Sequence, residues 1–81
     1  MEEIIGTVNL FTGSFTPRGW MPCKGQLLPI NQNPALFHIL GTQYGGDGKT
    51  TFALPNIPPL KAETGTVQYI ICVEGVFPPR S

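Results

Sequence analysis

Few side chains in this sequence could do chemistry, and their spacing denies most of it. Gly48-Lys49-Thr50 matches the end of a phosphate-binding loop, whose amides and lysine would cradle a nucleotide. Such a loop needs glycine at position 43, a strand before it and a helix after it. Position 43 is Gln43, the preceding segment reads as a helix end, and Thr50 to Leu54 reads as a strand. His38 is the sole histidine, and a hydrolytic triad would need a nucleophile and an orienting acid beside it. Ser14 and Ser81 fall in a loop and at the terminus, while Cys23 lies in an apolar run without an acidic neighbour. Asp47 sits among glycines but lacks the alternating oxygen ligands and closing glutamate of a calcium loop. It reads as a turn former that bends its own backbone. Asp47, Glu63 and Glu74 are isolated, so only symmetry-related copies of His38 or Asp47 could gather a metal. The residues call for no catalytic group, no cofactor and no metal.

Cys23 and Cys72 lie far apart, without the paired spacing of a zinc site. Three states stay open for them: two buried free thiols, an intrachain disulfide, or a crosslink between chains. Trp20, Tyr44 and Tyr69 could stack on sugars or a receptor if exposed, with Trp20 and Tyr44 the candidate contacts. The bland reading makes Trp20 a core plug whose indole N–H needs an acceptor, and packs Tyr44 over a short helix.

Composition sets the frame for these residues. The chain has 81 residues, which allows one domain, 1–81. A domain this small buries about 60% of its unfolded surface, so stability leans on disulfides, metals or association. Hydrophobic residues make up 41% and charged residues 12%, with ten glycines and nine prolines. Net charge is zero, and Arg18, Lys24, Lys49, Lys61 and Arg80 are scattered, which sets nucleic acid aside as a partner. No apolar run reaches the length of a membrane span. Met1-Glu2-Glu3 lacks the basic, then apolar, start of a secretory signal, so export would use another route.

Several elements are legible in the pattern. Ile4 to Phe11 reads as a strand, with Val8 and Leu10 on one side and Thr7, Asn9 and Phe11 on the other. Apolar runs flanking Lys24-Gly25 predict a tight hairpin with arms Trp20 to Cys23 and Gln26 to Pro29, and Pro22 and Pro29 confine both arms to sheet edges. Asn33 as side-chain cap, Pro34 at the first position and a left-handed Gly41 bound a helix over 34–40. Its apolar face is Leu36, Phe37 and Leu40, widened by Ile39, and must dock on a sheet. Tyr44 to Gly48 reads as a flexible loop, Lys49 to Leu54 as a strand, and Pro55 to Pro59 as a stiff connector. Val67 to Val73 is apolar on both faces except at Gln68, which predicts a central strand or one covered by a neighbouring subunit. The fold class that follows is α+β and β-rich: short strands and hairpins with one short helix.

The ordered combination of these pieces resembles the phage tail collar domain, also found in bacterial proteins labelled microcystin-dependent. The resemblance rests on Gly6 to Phe11, Pro17-Arg18-Gly19-Trp20, and Cys23-x-Gly25-Gln26-Leu27-Leu28-Pro29-Ile30. It continues through Asn33-x-Ala35-Leu36-Phe37, Tyr44-Gly45-Gly46-Asp47-Gly48 and Thr50-Thr51-Phe52-Ala53-Leu54-Pro55. Tyr69 to Arg80 is similar to the usual end of the bacterial proteins. Such domains occur in short tail fibres and baseplate proteins, form homo-oligomers, and have no catalytic residues to carry over. Relatives usually insert a long polar region after the position of Leu54-Pro55, where this chain has only Asn56 to Thr66. That departure argues for a minimal building block and against receptor recognition.

The expectation is therefore a non-enzymatic structural subunit that associates with itself as a trimer or filament, with other tail or appendage proteins as further partners. Its expected place is a virion, a tail-like particle or an extracellular appendage. Its expected assembly surface is the apolar ends, Ile4, Ile5, Val67, Tyr69, Ile71, Val73, Val76 and Phe77. Unpaired strand edges there would recruit sister chains by backbone hydrogen bonding. The alternative is a receptor- or glycan-binding adhesin module.

Overall fold

Residues 3–63 and 65–79 are described by the computed structural model of the chain. Within them run β1 (Val8–Phe11), β2 (Trp20–Pro22) and β3 (Leu27–Pro29), then a single 3₁₀ turn (Ile30–Gln32) and α1 (Pro34–Leu40). After the helix come β4 (Thr51–Ala53), β5 (Leu60–Ala62) and β6 (Gly65–Cys72). Two antiparallel sheets result. One has the order β1-β6-β2 with β5 also on β6, and the other pairs β3 with β4. The mixture is strand-rich with one short helix, the α+β class expected.

β6 is central because its two faces are apolar and it takes β1 and β2 on opposite sides. Cys72 N–H donates to Thr7 O at 2.9 Å, while Cys23 N–H donates to Tyr69 O at 3.0 Å. The prolines sit where the missing N–H costs nothing: Pro22 closes the edge strand β2, and Pro29 closes β3 of the two-stranded sheet. Helix α1 has the expected bounds, with Leu36 and Leu40 buried. Burying each such side chain contributes about 1.5–3 kcal/mol, which is what a two-turn helix needs to exist.

The core joins both sheets and the helix. Ile5, Cys23, Leu28, Leu36, Leu40, Phe52, Leu54 and Ile71 form one buried cluster, with Met21, Phe37, Ile39, Tyr69 and Val73 packed around it. Phe37 of the helix meets Phe52 of β4 with ring centroids 5.4 Å apart and a 56° tilt.

Four local readings are corrected. Lys24-Gly25 does not close a hairpin: β2 pairs β6 and β3 pairs β4, so this segment crosses from one sheet to the other. Gly25 still takes a positive φ of 75°, and Lys24 bridges to Asn56. A local pattern of apolar, glycine, apolar cannot say whether its arms pair with each other or with distant strands. The first strand is shorter than 4–11, because Gly6 turns the chain at φ 92° and leaves Ile4 in an isolated parallel bridge with Val76. Asn33 makes no side-chain cap; its amide instead donates to Pro29 O at 3.1 Å. Gly41 takes φ 59° and ψ −145°, outside the left-handed helical region, while its N–H still donates to Phe37 O at 2.7 Å. The sequence reading also missed β5, three residues behind Pro58-Pro59 that fold back on β6.

Candidate assembly surface

Strand register decides which side chains share a face. Directly opposed residues of antiparallel strands point the same way, and alternate residues of one strand do too. Val67, Tyr69 and Ile71 of β6 therefore share a face with Leu60 (opposite Val67), Leu10 (opposite Tyr69), Val8 and Met21 (both opposite Ile71). All seven are apolar or aromatic. The core covers this face only at one end, where Ile71 is fully buried and Met21 packs on the cluster. Away from that end Leu10 is 49% exposed and Leu60 48%, while Val8, opposite Ile71 on the edge strand β1, is 37% exposed. Beyond β1 and β2 this face continues onto the β5–β6 hairpin, where Leu60 is exposed and Val67 half-buried.

The opposite face carries Phe11, Gln68, Ile70, Cys72 and Trp20. An open hollow of about 180 Å³ lies there, lined by Phe11, Phe15, Pro22, Lys24, Gln68 and Ile70 among others. Phe15 stands over it, 72% exposed, its ring edge-on to Phe11 at 6.4 Å.

The residues expected to make the assembly surface do not stand together in the open. Ile5 and Ile71 are core residues, while Val67, Tyr69 and Val73 are half-buried. Ile4, Val76 and Phe77 are exposed and lie where the chain ends meet: Ile5 N–H donates to Val76 O and Val76 N–H to Glu3 O, both at 2.8 Å. Phe77 packs on the exposed ring of His38 at 5.5 Å. The apolar residues Val8, Leu10 and Leu60 were not singled out, although the alternation of β1 already put Val8 and Leu10 on one side. Arg80 lies outside the described residues.

Both thiols are free and buried. Cys23 aligns with Tyr69 and Cys72 with Trp20, so they sit three residues apart along the β2–β6 ladder and on opposite faces. That separation is about 10 Å of strand, beyond the roughly 7 Å between Cα atoms that a disulfide tolerates. Burial raises both thiol pKa values, and the Cys72 thiol donates to Glu74 O at 3.4 Å. Neither fully buried sulfur is presented to another chain.

Among the described residues Asp47 is the one strongly perturbed acid. Its Oδ1 accepts from the backbone N–H groups of Lys49, Thr50 and Thr51 at 2.8, 2.8 and 2.9 Å, and its Oδ2 accepts from the Thr50 hydroxyl at 2.9 Å. Those donors, Thr51 foremost, hold the carboxyl well below the usual carboxylate range. The loop expected to be flexible is thus tied by its own acid, and its Gly45 O accepts from Ala53 N–H of β4. At Gly46, φ is +94° and a β-carbon would fall 2.6 Å from Thr51 O, so glycine is required. The Lys49 and Thr50 amides point at Asp47 and that of Gly48 at Thr51 O, all within the loop rather than outward at a phosphate. Tyr44 at the loop's start is 48% exposed; Trp20 is half-buried in the other sheet, so the two do not form one contact patch.

A comparison with protein-family models matches residues 6–59 to the phage tail collar domain. The chain belongs to the phage tail collar domain family. No curated protein and no solved structure matches it. The family is a structural one, not known as enzymatic, and membership makes this collar domain a tail-fibre type of component that associates with phage tail proteins. The match ends at residue 59, so β5 and β6 lie beyond it. No helix among the described residues is long and apolar enough to cross a membrane.

Proposed function

We propose that this collar domain is a structural subunit of a tail fibre or tail-like appendage that works by associating with copies of itself. One observation carries the reading: the surface is too large for the mass. The chain exposes 5635 Å², whereas a compact monomer of 8.8 kDa exposes about 4,800 Å². The excess, about 850 Å², is close to one partner's share of a standard protein interface, about 800 Å². The radius of gyration agrees, at 13.1 Å against about 11.7 Å for a compact chain of this length.

Sedimentation across a wide concentration range tests the proposal. Association that grows with concentration is expected, and it should persist in reductant because neither thiol is presented at the surface. A monomer at every concentration would end the reading. A receptor- or glycan-binding role has the exposed Tyr44 ring in its favour. It predicts saturable binding to cells or glycans that Tyr44→Ala weakens without loss of fold.

A further inference from the structure

We propose that a second copy of this chain covers the open half of the large sheet, and that the Leu60–Val67 hairpin is the arm that extends this interface. The inference rests on the self-association reading and deepens it by naming the surface. Leu60 and Val67 face each other on a two-stranded ribbon, and ribbons of this kind are at best marginally stable unless another layer packs on them. Their face continues past Leu10 and the half-buried Tyr69 to Val8 and the buried Ile71, so the unburied stripe and the buried core are two ends of one surface.

The occupant is argued from area and charge. The excess exposed surface is close to what one chain gives to a standard pairwise interface. A strongly charged partner has nothing to read here, since the chain's net charge is zero. Lys61, opposite Thr66, lies on the other face of the hairpin, so the stripe itself bears no charge and is matched by the same uncharged stripe on another copy. Strand addition is blocked at the edge strand β2, which ends in Pro22, and not at β1, the sheet's other edge.

The test is sedimentation of the full chain carrying Leu10→Lys with Leu60→Glu. Both positions are about half exposed, so the fold should survive, checked by circular dichroism. The concentration for half-association should rise by at least about 100-fold, each tenfold step being 1.4 kcal/mol. Phe15→Ser and Phe77→Ser, exposed aromatics off the stripe, should change it by no more than about threefold.

If the double variant associates like the wild type, or if Phe77→Ser alone dissolves the assembly, the stripe is not the interface while self-association stands. A wild-type chain that stays monomeric and binds a hydrophobic dye leaves the face to a different protein, and overturns both readings. Should the double variant fail to fold, maleimide labelling of Leu10→Cys and Leu60→Cys decides. Labelling should slow about tenfold in the associated state, while Phe15→Cys keeps its rate; equal rates at all three sites overturn the proposal.

Discussion

Ile71 and Val67 stand on the same face of one strand, yet they live in different surroundings. Around Ile71 the strand is walled by β1, β2, Met21 and the core cluster, and burial is complete. At Val67 only the short β5 lies alongside, and the side chain is half-buried. Burial along β6 rises steadily from exposed at Gly65 to buried at Cys72. The face shared by Val67, Tyr69 and Ile71 is apolar or aromatic throughout; what changes along it is how many layers the rest of the chain supplies. A short polypeptide has enough helix and second sheet to cover half of one apolar face. The uncovered half is where the collar domain has surface to offer.

The largest contrast should come from truncating one residue in each half. Phe52→Ala removes a fully buried ring that packs on Phe37 of the helix, and should cost about 3–5 kcal/mol. Domains of this size carry roughly 0.05–0.15 kcal/mol per residue in total stability, so that loss unfolds much of the population. Leu60→Ala, at a half-exposed position, should cost less than about 1 kcal/mol in the dissociated chain. Urea unfolding at low concentration measures both. Equal costs would mean that the hairpin is integral to the monomer's core.

A smaller contrast separates the two thiols. Cys23→Ser puts a hydroxyl in an apolar cluster where the thiol has no hydrogen-bond partner among the described residues, and should cost about 1–3 kcal/mol. Cys72→Ser places the hydroxyl where the thiol already reaches Glu74 O, so its cost should be about 1 kcal/mol or less. Both wild-type thiols should react with thiol reagents only as fast as the chain unfolds, because burial both hides them and keeps them protonated. Rapid labelling of either in the native state contradicts the packing described here.

Much of the packed half was legible. The Pro34–Leu40 helix shows its proline start, its glycine stop and a face of Leu36, Phe37 and Leu40. The central place of β6 follows from its apolar residues on both faces, and the edge strands from Pro22 and Pro29. The open half was harder to read. Ile71 was grouped with Val67 because period-two alternation shows that residues share a face without showing where the cover stops. β5 is three residues long behind two prolines, and its existence depends on pairing with β6 rather than on its own pattern. The family resemblance held over residues 6–59, which is where glycines and prolines fix the backbone locally.

Gly46→Ala tests the loop that closes the packed half over β4. The new β-carbon meets Thr51 O at 2.6 Å, and the positive φ is strained for any side chain that is not glycine. A strained position of this kind costs about 1–3 kcal/mol, read as a lower urea midpoint. The loop lies away from the open stripe, so self-association should not change once the comparison is made at equal fraction folded. A change in association at equal stability would place the loop, and Tyr44 beside it, in the interface.

The subtlest effect belongs to Asp47→Asn, and its size depends on pH. The wild-type carboxylate is held by three backbone N–H groups and one hydroxyl, which lowers its pKa in the folded chain below the value of about 3.9 expected when unfolded. A lowered folded pKa contributes stability that is fully present above the unfolded value. That contribution fades as pH falls from about 4 toward the folded value, because the unfolded chain takes up the proton first. Asparagine keeps one oxygen acceptor but carries no charge, so the variant should melt at a lower temperature at pH 7. Its thermal midpoint should then approach that of the wild type as both are acidified below about pH 4, since the wild type alone loses this contribution. Melting curves from pH 7 to pH 2 measure the gap. A gap that stays constant would show that the loop is held by the shape of its hydrogen bonds and owes nothing to the charge of Asp47.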